Sequence, residues 1–188
     1  MTMPTPVIRP LTVADLDRVI EVYNHAVRCT DATLDTDEKS VEEMAAWLDR
    51  HGGRYPAVGA EVNGVLAGYG TLSPFAARGG YLASAEASVY VAPDSQGRGV
   101  GAALCGWLTD HAEHSGLSTV VALISSTNSA SLRMVARIGY QNNGVLSHIG
   151  YKLGHFVSLE VHQRVFADNV RNRVGSAPAE LVAKELTP

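Results

Sequence analysis

The stretch best equipped for chemistry is Gln96-Gly97-Arg98-Gly99-Val100-Gly101-Ala102, which follows the apolar run Ser88-Val89-Tyr90-Val91. Alternating glycines let a backbone approach a ligand closely and accept positive φ. A helix opening at such a turn presents first-turn N–H groups with no partner inside the helix, and its dipole favours negative charge. Arg98 adds a cation. These residue types suit a pyrophosphate; the plainer alternative is a glycine-rich turn without a ligand. The Walker pattern is missing, because no Lys-Ser/Thr pair follows. Gly97-x-Gly99-x-x-Ala102 fits the dinucleotide fingerprint loosely, but that fold needs an acidic residue closing the next strand, and Ser118 to Ile124 holds none. His111 and His114, at i and i+3 without a nearby acid or cysteine cluster, read as a solvated helix face, so no metal is expected. Cys105, beside Leu104 and Leu108, reads as packing.

The elements that must hold this turn follow from periodicity and punctuation. Val7-Ile8-Arg9 predicts a short strand stopped by Pro10. Thr12 with Asp15 resembles a capping box before Leu16, Val19, Ile20, Tyr23 and Val27, whose helical spacing runs to about Arg28. Cys29 to Lys39 is a polar loop. Ser40 and Glu43 form a cleaner capping box for a helix with Met44, Trp47 and Leu48 on its apolar face, ended by Gly52-Gly53. Tyr55 to Val62 and Val65 to Leu72 flank Asn63-Gly64, a hairpin signal. Ala85 to Val91 is the next strand, entered through Arg78-Gly79-Gly80. The glycine turn then opens a helix to about His114. A strand over Ser118 to Ile124, a helix over Ser129 to Ile138 closed by Gly139, and strands over Tyr140 to His148 and His155 to Phe166 complete the order. This alternation indicates an α+β domain with a mixed sheet rather than a regular βαβ repeat. One domain over residues 1–167 is expected, followed by a mobile tail over 168–188 with room for a short helix at Ala179 to Leu186.

Composition bounds the function. The chain has 188 residues, 46% hydrophobic and 18% charged, enough for a full core and too apolar for a disordered chain. Fifteen basic against 19 acidic residues give a net charge of −4, which argues against a nucleic-acid partner. Two cysteines, Cys29 and Cys105, make no disulfide framework, so a reduced cytoplasmic location is expected. Met1 to Leu11 lacks the apolar core of a signal peptide, and the longest clean apolar run, Val120 to Ile124, cannot span a membrane.

Gln96-x-x-Gly99-x-Gly101 matches the Q/R-x-x-G-x-G/A signature of the GNAT superfamily of acyl-CoA-dependent N-acyltransferases. Ile8-Arg9-Pro10, Tyr23-Asn24-His25, Tyr69-Gly70, Ser73-Pro74-Phe75, Glu86-x-Ser88-Val89-Tyr90-Val91, Asn128-x-x-Ser131, Ile138-Gly139-Tyr140 and Lys152-x-Gly154 also appear in order along the chain. Over residues 7–166 the chain resembles the phosphinothricin and methionine-sulfone acetyltransferase branch. The resemblance implies a GNAT-like mixed central sheet with splayed strands flanked by helices, acetyl-CoA as co-substrate, a small-molecule amine as acceptor, and a homodimer. Carried over by position, Val89, Tyr90 and Val91 offer strand backbone to the pantetheine, and Gln96, Gly97, Arg98, Gly99, Val100, Gly101 and Ala102 hold the pyrophosphate. Asn128 binds the pantetheine arm with Ser131 nearby; an N-cap role for Asn128 is compatible. The strands that splay are Ala85 to Val91 and Ser118 to Ile124.

The same resemblance makes Glu86 the general base for acetyl transfer by direct attack, and gives carbonyl polarisation to a strand N–H near Val91. Phe75, Arg78, Tyr81 and Leu34 fall where the branch contacts its acceptor. Several positions depart from the branch pattern. Ala87 stands where an acid or histidine is common, and Val135 where a histidine is usual. Ala76 replaces the first of two arginines, and Leu34 replaces an aromatic residue. Lys152-Leu153-Gly154-His155 departs from an Arg-Trp pattern. A small primary amine, an amino acid or its analogue, remains the expected acceptor. The alternatives are a CoA-binding module without turnover and a protein or peptide N-acetyltransferase.

Overall fold

A computed structural model describes residues 5–174. Its strands are β1 (Val7–Pro10), β2 (Ala57–Val62), β3 (Val65–Pro74), β4 (Ser84–Val91), β5 (Thr119–Ser125), β6 (Gln141–Lys152) and β7 (His155–Val165). Its helices are α1 (Leu16–Cys29), α2 (Val41–Asp49), α3 (Val100–His114), α4 (Ser129–Ile138) and α5 (Ala167–Val174). The strands form one seven-stranded sheet in the order β1-β2-β3-β4-β5-β7-β6. β4 and β5 run parallel, and the other neighbouring pairs run antiparallel.

Local chemistry explains the boundaries. Asn63 and Gly64 both take positive φ, 53° and 79°, the backbone that a two-residue hairpin turn requires. Ser40 Oγ accepts from Glu43 N–H at 3.2 Å while Glu43 Oε2 accepts from Ser40 N–H at 2.8 Å, closing both orphan donors at the start of α2. At the start of α1, Asp15 accepts from Thr12 N–H at 2.8 Å and is itself clamped by Arg9. Gly139 ends α4 at φ 95°.

Apolar side chains fill both faces of the sheet. Leu104 and Leu108 of α3 pack with Leu72, Val58 and Val120 on one face. Leu16, Val19 and Val22 of α1 and Met44 of α2 pack with Leu66 and Tyr69 on the other.

Two details differ from the sequence expectation. β6 continues past His148 to Lys152, and the chain reverses at Leu153-Gly154, where both residues have positive φ. A leucine in the left-handed region conceals that turn from sequence rules. Residues expected to begin a tail instead form α5, where Asn169 Nδ2 donates to the carbonyls of Glu113 and Leu117 at 2.7 and 2.8 Å. The helix expected at Ala179 to Leu186 lies outside the described residues.

The feature that makes a site is the parting of β4 and β5. Their pairing covers Ser84↔Thr119, Ala85↔Val120 and Glu86↔Val121 and stops there. Beyond Glu86, β4 stays paired with β3 up to Val91, and β5 stays with β7 up to Ser125. The strands splay where the sequence reading placed the split.

Candidate active site

The glycine turn sits at the mouth of this split. After Val91, a single 3-10 turn over Pro93–Ser95 leads to Gln96, and Gly97 and Gly99 take φ of 72° and 81°. Positive φ at both explains why glycine stands there. Gly99 caps α3, and the first helical bond runs from Ala103 N–H to the Gly99 carbonyl at 3.0 Å. The N–H groups of Val100, Gly101 and Ala102 therefore precede the ladder and face the turn. Gly101 serves packing instead: a Cβ there meets Met134 Sδ at 3.2 Å, so its absence lets α4 approach α3.

A groove of about 590 Å³ runs from this turn along the end of β4 to the start of α4. Of the residues expected to bind cofactor, Val89, Tyr90, Val91, Gln96, Gly97, Gly99, Val100, Gly101, Ala102, Asn128 and Ser131 all line it. Arg98 does not, and it is exposed. Asn128 Oδ1 accepts from Ser131 N–H at 3.1 Å and so caps α4, while its amide NH₂ carries two further donors. The groove narrows into a slot of about 70 Å³ between the parted strands, bordered by Ala87 to Tyr90 on one side and Ala122 to Ser125 on the other. Beyond Glu86 the β5-facing edge of β4 is free to accept an extended amide chain as if it were another strand. An anion-receptive turn, a long groove and a slot with a free strand edge fit a pyrophosphate joined to a linear amide arm.

A second cavity, of about 460 Å³, lies between the sheet and the α1–α2 face. Ser88 and Tyr90 border both this cavity and the slot, so the two spaces adjoin through the parted strands. Glu86 lies on the same side of β4 as Ser88 and Tyr90, by strand alternation. It stands opposite Ser73 of β3, another residue of this cavity. Glu86 is half-buried, and that burial raises its carboxyl pKa above the ordinary value. Glu86 itself is not among the side chains lining the three cavities. Tyr90 is held between Tyr69 and Tyr23, each ring centroid 5.2 Å away, and burial raises its pKa.

The other expected positions lie on the flanking loops. Phe75 and Tyr81 contact edge to face at 5.5 Å, and the Arg78 carbonyl accepts from Tyr81 N–H. Leu34 fills the space over Gly150 of β6. None of these four lines the three cavities. Val135 is buried against the slot, where it supplies no proton donor. Cys105 also borders the slot, but burial pushes its thiol up to about 11, which keeps it protonated. His111 bonds the Gly53 carbonyl at 2.9 Å and stacks on Trp107.

Sequence reasoning missed several residues here. Arg137 brings a cation to the groove three residues after Met134, and the Ser131, Met134, Arg137 spacing on α4 was the available signal. Thr30, Asp31 and Ala32 also line the groove from a segment that reads only as a polar loop. Lys152 braces that segment. It is buried, and its Nζ donates to the carbonyls of Ala26, Thr30 and Thr33 at 3.1, 2.8 and 2.7 Å. It thereby ties the β6–β7 turn to the end of α1.

This geometry has known counterparts. Residues 19–140 match the acetyltransferase (GNAT) family, and the chain belongs to that family. Its relatives include the phosphinothricin N-acetyltransferase of Streptomyces coelicolor, 36% identical over 162 residues that cover 84% of this chain and 94% of the relative. The L-methionine sulfoximine/L-methionine sulfone acetyltransferase of Salmonella typhimurium is 35% identical over 156 residues, covering 80% and 88%. A crystal structure of a phosphinothricin acetyltransferase from Sinorhizobium meliloti in complex with acetyl-CoA superposes with a TM-score of 0.83 at 29% identity, covering 86% of this chain and 89% of that one. The protein is an acetyl-CoA-dependent N-acetyltransferase, similar to the phosphinothricin and methionine-sulfone branch.

Proposed function

We propose that this enzyme acetylates the primary amine of a small amino-acid-like acceptor by direct attack, with Glu86 as general base. The observation that carries the reading is the parting of β4 and β5 at Glu86, with a long groove and a separate cavity meeting at Ser88 and Tyr90. Acetyl-CoA supplies the acetyl thioester. The turn from Gln96 to Ala102 holds its pyrophosphate through the free N–H groups of α3, and the exposed Arg98 adds long-range attraction. The β4 backbone from Val89 to Val91 and the Asn128 amide bind the pantetheine arm beside Ser131, and a strand N–H near Val91 polarises the reacting carbonyl. The acceptor enters from the α1–α2 side, with Leu34, Phe75, Arg78 and Tyr81 on the loops at its rim. Glu86 takes the proton that the attacking ammonium must lose, directly or through water, and its burial moves its pKa toward the range useful for a base. With Val135 in the slot, the leaving thiolate is left to water.

β6 forms the sheet edge, with Val145, Leu146, Ile149 and Tyr151 exposed, and supports a homodimer formed across that edge. Cys29 and Cys105 are both free thiols, in keeping with a reducing cytoplasm. The test follows thiol release from acetyl-CoA with a panel of amines, amino acids, peptides, L-methionine sulfone and L-methionine sulfoximine. Release that depends on one small acceptor is expected, with Glu86→Gln lowering kcat/KM about 10²–10⁴-fold at neutral pH. Turnover on peptides alone replaces the acceptor class. Saturable acetyl-CoA binding without release on any acceptor identifies a silent binder.

A further inference from the structure

The cavity on the α1–α2 side carries four charged residues, Asp35, Lys39, Glu43 and Arg50, and three of them are already committed. Lys39 Nζ pairs with Asp35 at 3.0 Å, and Asp35 also accepts from Tyr23 OH at 2.8 Å. Glu43 is held by Ser40 N–H in the cap of α2. Arg50 has no hydrogen-bond or ion-pair partner among the described residues, although it lines the cavity. The cavity therefore presents one uncommitted charge, and it is a cation.

Arg50 is also well placed. It ends α2, and the next residue, His51, fastens that end over the sheet: its Nδ1 lies 2.7 Å from the Trp47 carbonyl and its Nε2 lies 3.4 Å from Ser73 Oγ. Ser73 is the cross-strand partner of Glu86. Arg50, itself exposed, thus borders the cavity beside the His51–Ser73 contact, one strand away from the proposed base Glu86. The amine and carboxylate of an α-amino acid, joined through one carbon, match that pairing, and a guanidinium suits a carboxylate because it offers two parallel N–H donors. Trp47, Tyr69 and Tyr90 provide apolar walls for the rest of the acceptor.

We infer that Arg50 is the anchor for the acceptor's carboxylate, and that the enzyme selects α-amino acids over amines lacking an acid group. The anchor substitutes for the arginine missing at Ala76. The inference rests on the proposed entry of the acceptor from this side toward Glu86. A purely structural role is the competing reading, since a cation at a helix C-terminus also stabilises the helix.

The test compares wild type, Arg50→Gln and Arg50→Lys on L-methionine sulfone and its methyl ester, by steady-state thiol release. Arg50→Gln is expected to raise KM for the free acid about 10–100-fold, the loss of a charge-assisted bidentate contact. KM for acetyl-CoA and for the ester stays unchanged, and Arg50→Lys recovers part of the loss. A wild type that uses acid and ester equally well, or an Arg50→Gln variant with an unchanged KM for the acid, overturns the anchor while leaving the acetyl transfer intact. If neither acceptor is turned over, the proposed acceptor class fails, and the anchor is judged by binding alone. In a Trp107→Phe background, Trp47 fluorescence then reports cavity occupancy. A response to the free acid that Arg50→Gln abolishes sustains the anchor, and no response in the parent overturns it.

Discussion

As the proposed base, Glu86 is poised between two demands. Its burial favours the neutral carboxyl, so the folded pKa lies above that of the unfolded chain, about 4.3. The ionised form, which a base requires, opposes folding at every pH above the raised pKa. That opposition fades as pH falls through the folded pKa, and both states are neutral well below 4.3. Glu86→Gln keeps the shape and removes the charge. The variant is expected to melt at a higher temperature than wild type at about pH 8 and at the same temperature at about pH 3.5, while its turnover is lost. Thermal scans at the two pH values check this. A variant that melts lower than wild type at both would mean the carboxylate is stabilised by a contact and is not poised as a base. The acid limb of the wild-type rate profile should likewise lie above the ordinary glutamate range.

The glycine turn shows which residues of the candidate site local sequence can reveal. Free N–H groups and positive φ are properties of a few consecutive residues, so Gly97 and Gly99 were legible from their own stretch. Arg50 and Arg137 were not, because their meaning depends on which cavity the fold brings to them. At Gly99 there is open space for a Cβ, but φ is 81°. Gly99→Ala is therefore strained only through its backbone, by about 1–2 kcal/mol. Relief of that strain turns the N–H groups of α3 away from the groove. KM for acetyl-CoA is expected to rise about tenfold or more, with the KM for the acceptor little changed. Gly106, inside α3 with equally open space and no positive φ, is the matched control. Gly106→Ala should raise stability by about 0.5–1 kcal/mol and leave KM alone. Equal effects of the two substitutions would show that the turn acts on helix stability and not on the cofactor.

At the scale of the whole molecule, the mixed sheet and most of its elements could be read from caps, turns and periodicity, but the parting of β4 and β5 could not. No residue in Ala85 to Val91 or Ser118 to Ile124 announces it, and only the likeness to a known family placed it. The sequence pattern ends β6 too early for a related reason. Its exposed residues show no alternation of apolar and polar sides, since Val145 and Leu146 are neighbours and both exposed. A strand of 12 residues at the edge of a seven-stranded sheet with exposed Val145, Leu146, Ile149 and Tyr151 is a template for uncontrolled pairing unless something covers it. In the proposed dimer a second copy of the same strand is the self-complementary cover, and a two-fold pairing of this kind closes without leaving a further edge. The groove and the α1–α2 cavity are lined from α1, α2, the loop after α1, β3, β4, the glycine turn, α3, the end of β5, α4 and the segment before it, so neither needs a residue of a partner. The double substitution Val145→Lys, Ile149→Lys places charge along the edge and should convert a dimer into a monomer of 19.9 kDa by light scattering. Acetyl-CoA affinity should remain within about twofold of wild type, because no β6 residue reaches the groove. A wild type that already travels at the mass of one chain would remove the dimer from the proposal. A dimer unaffected by both lysines would move the interface away from β6.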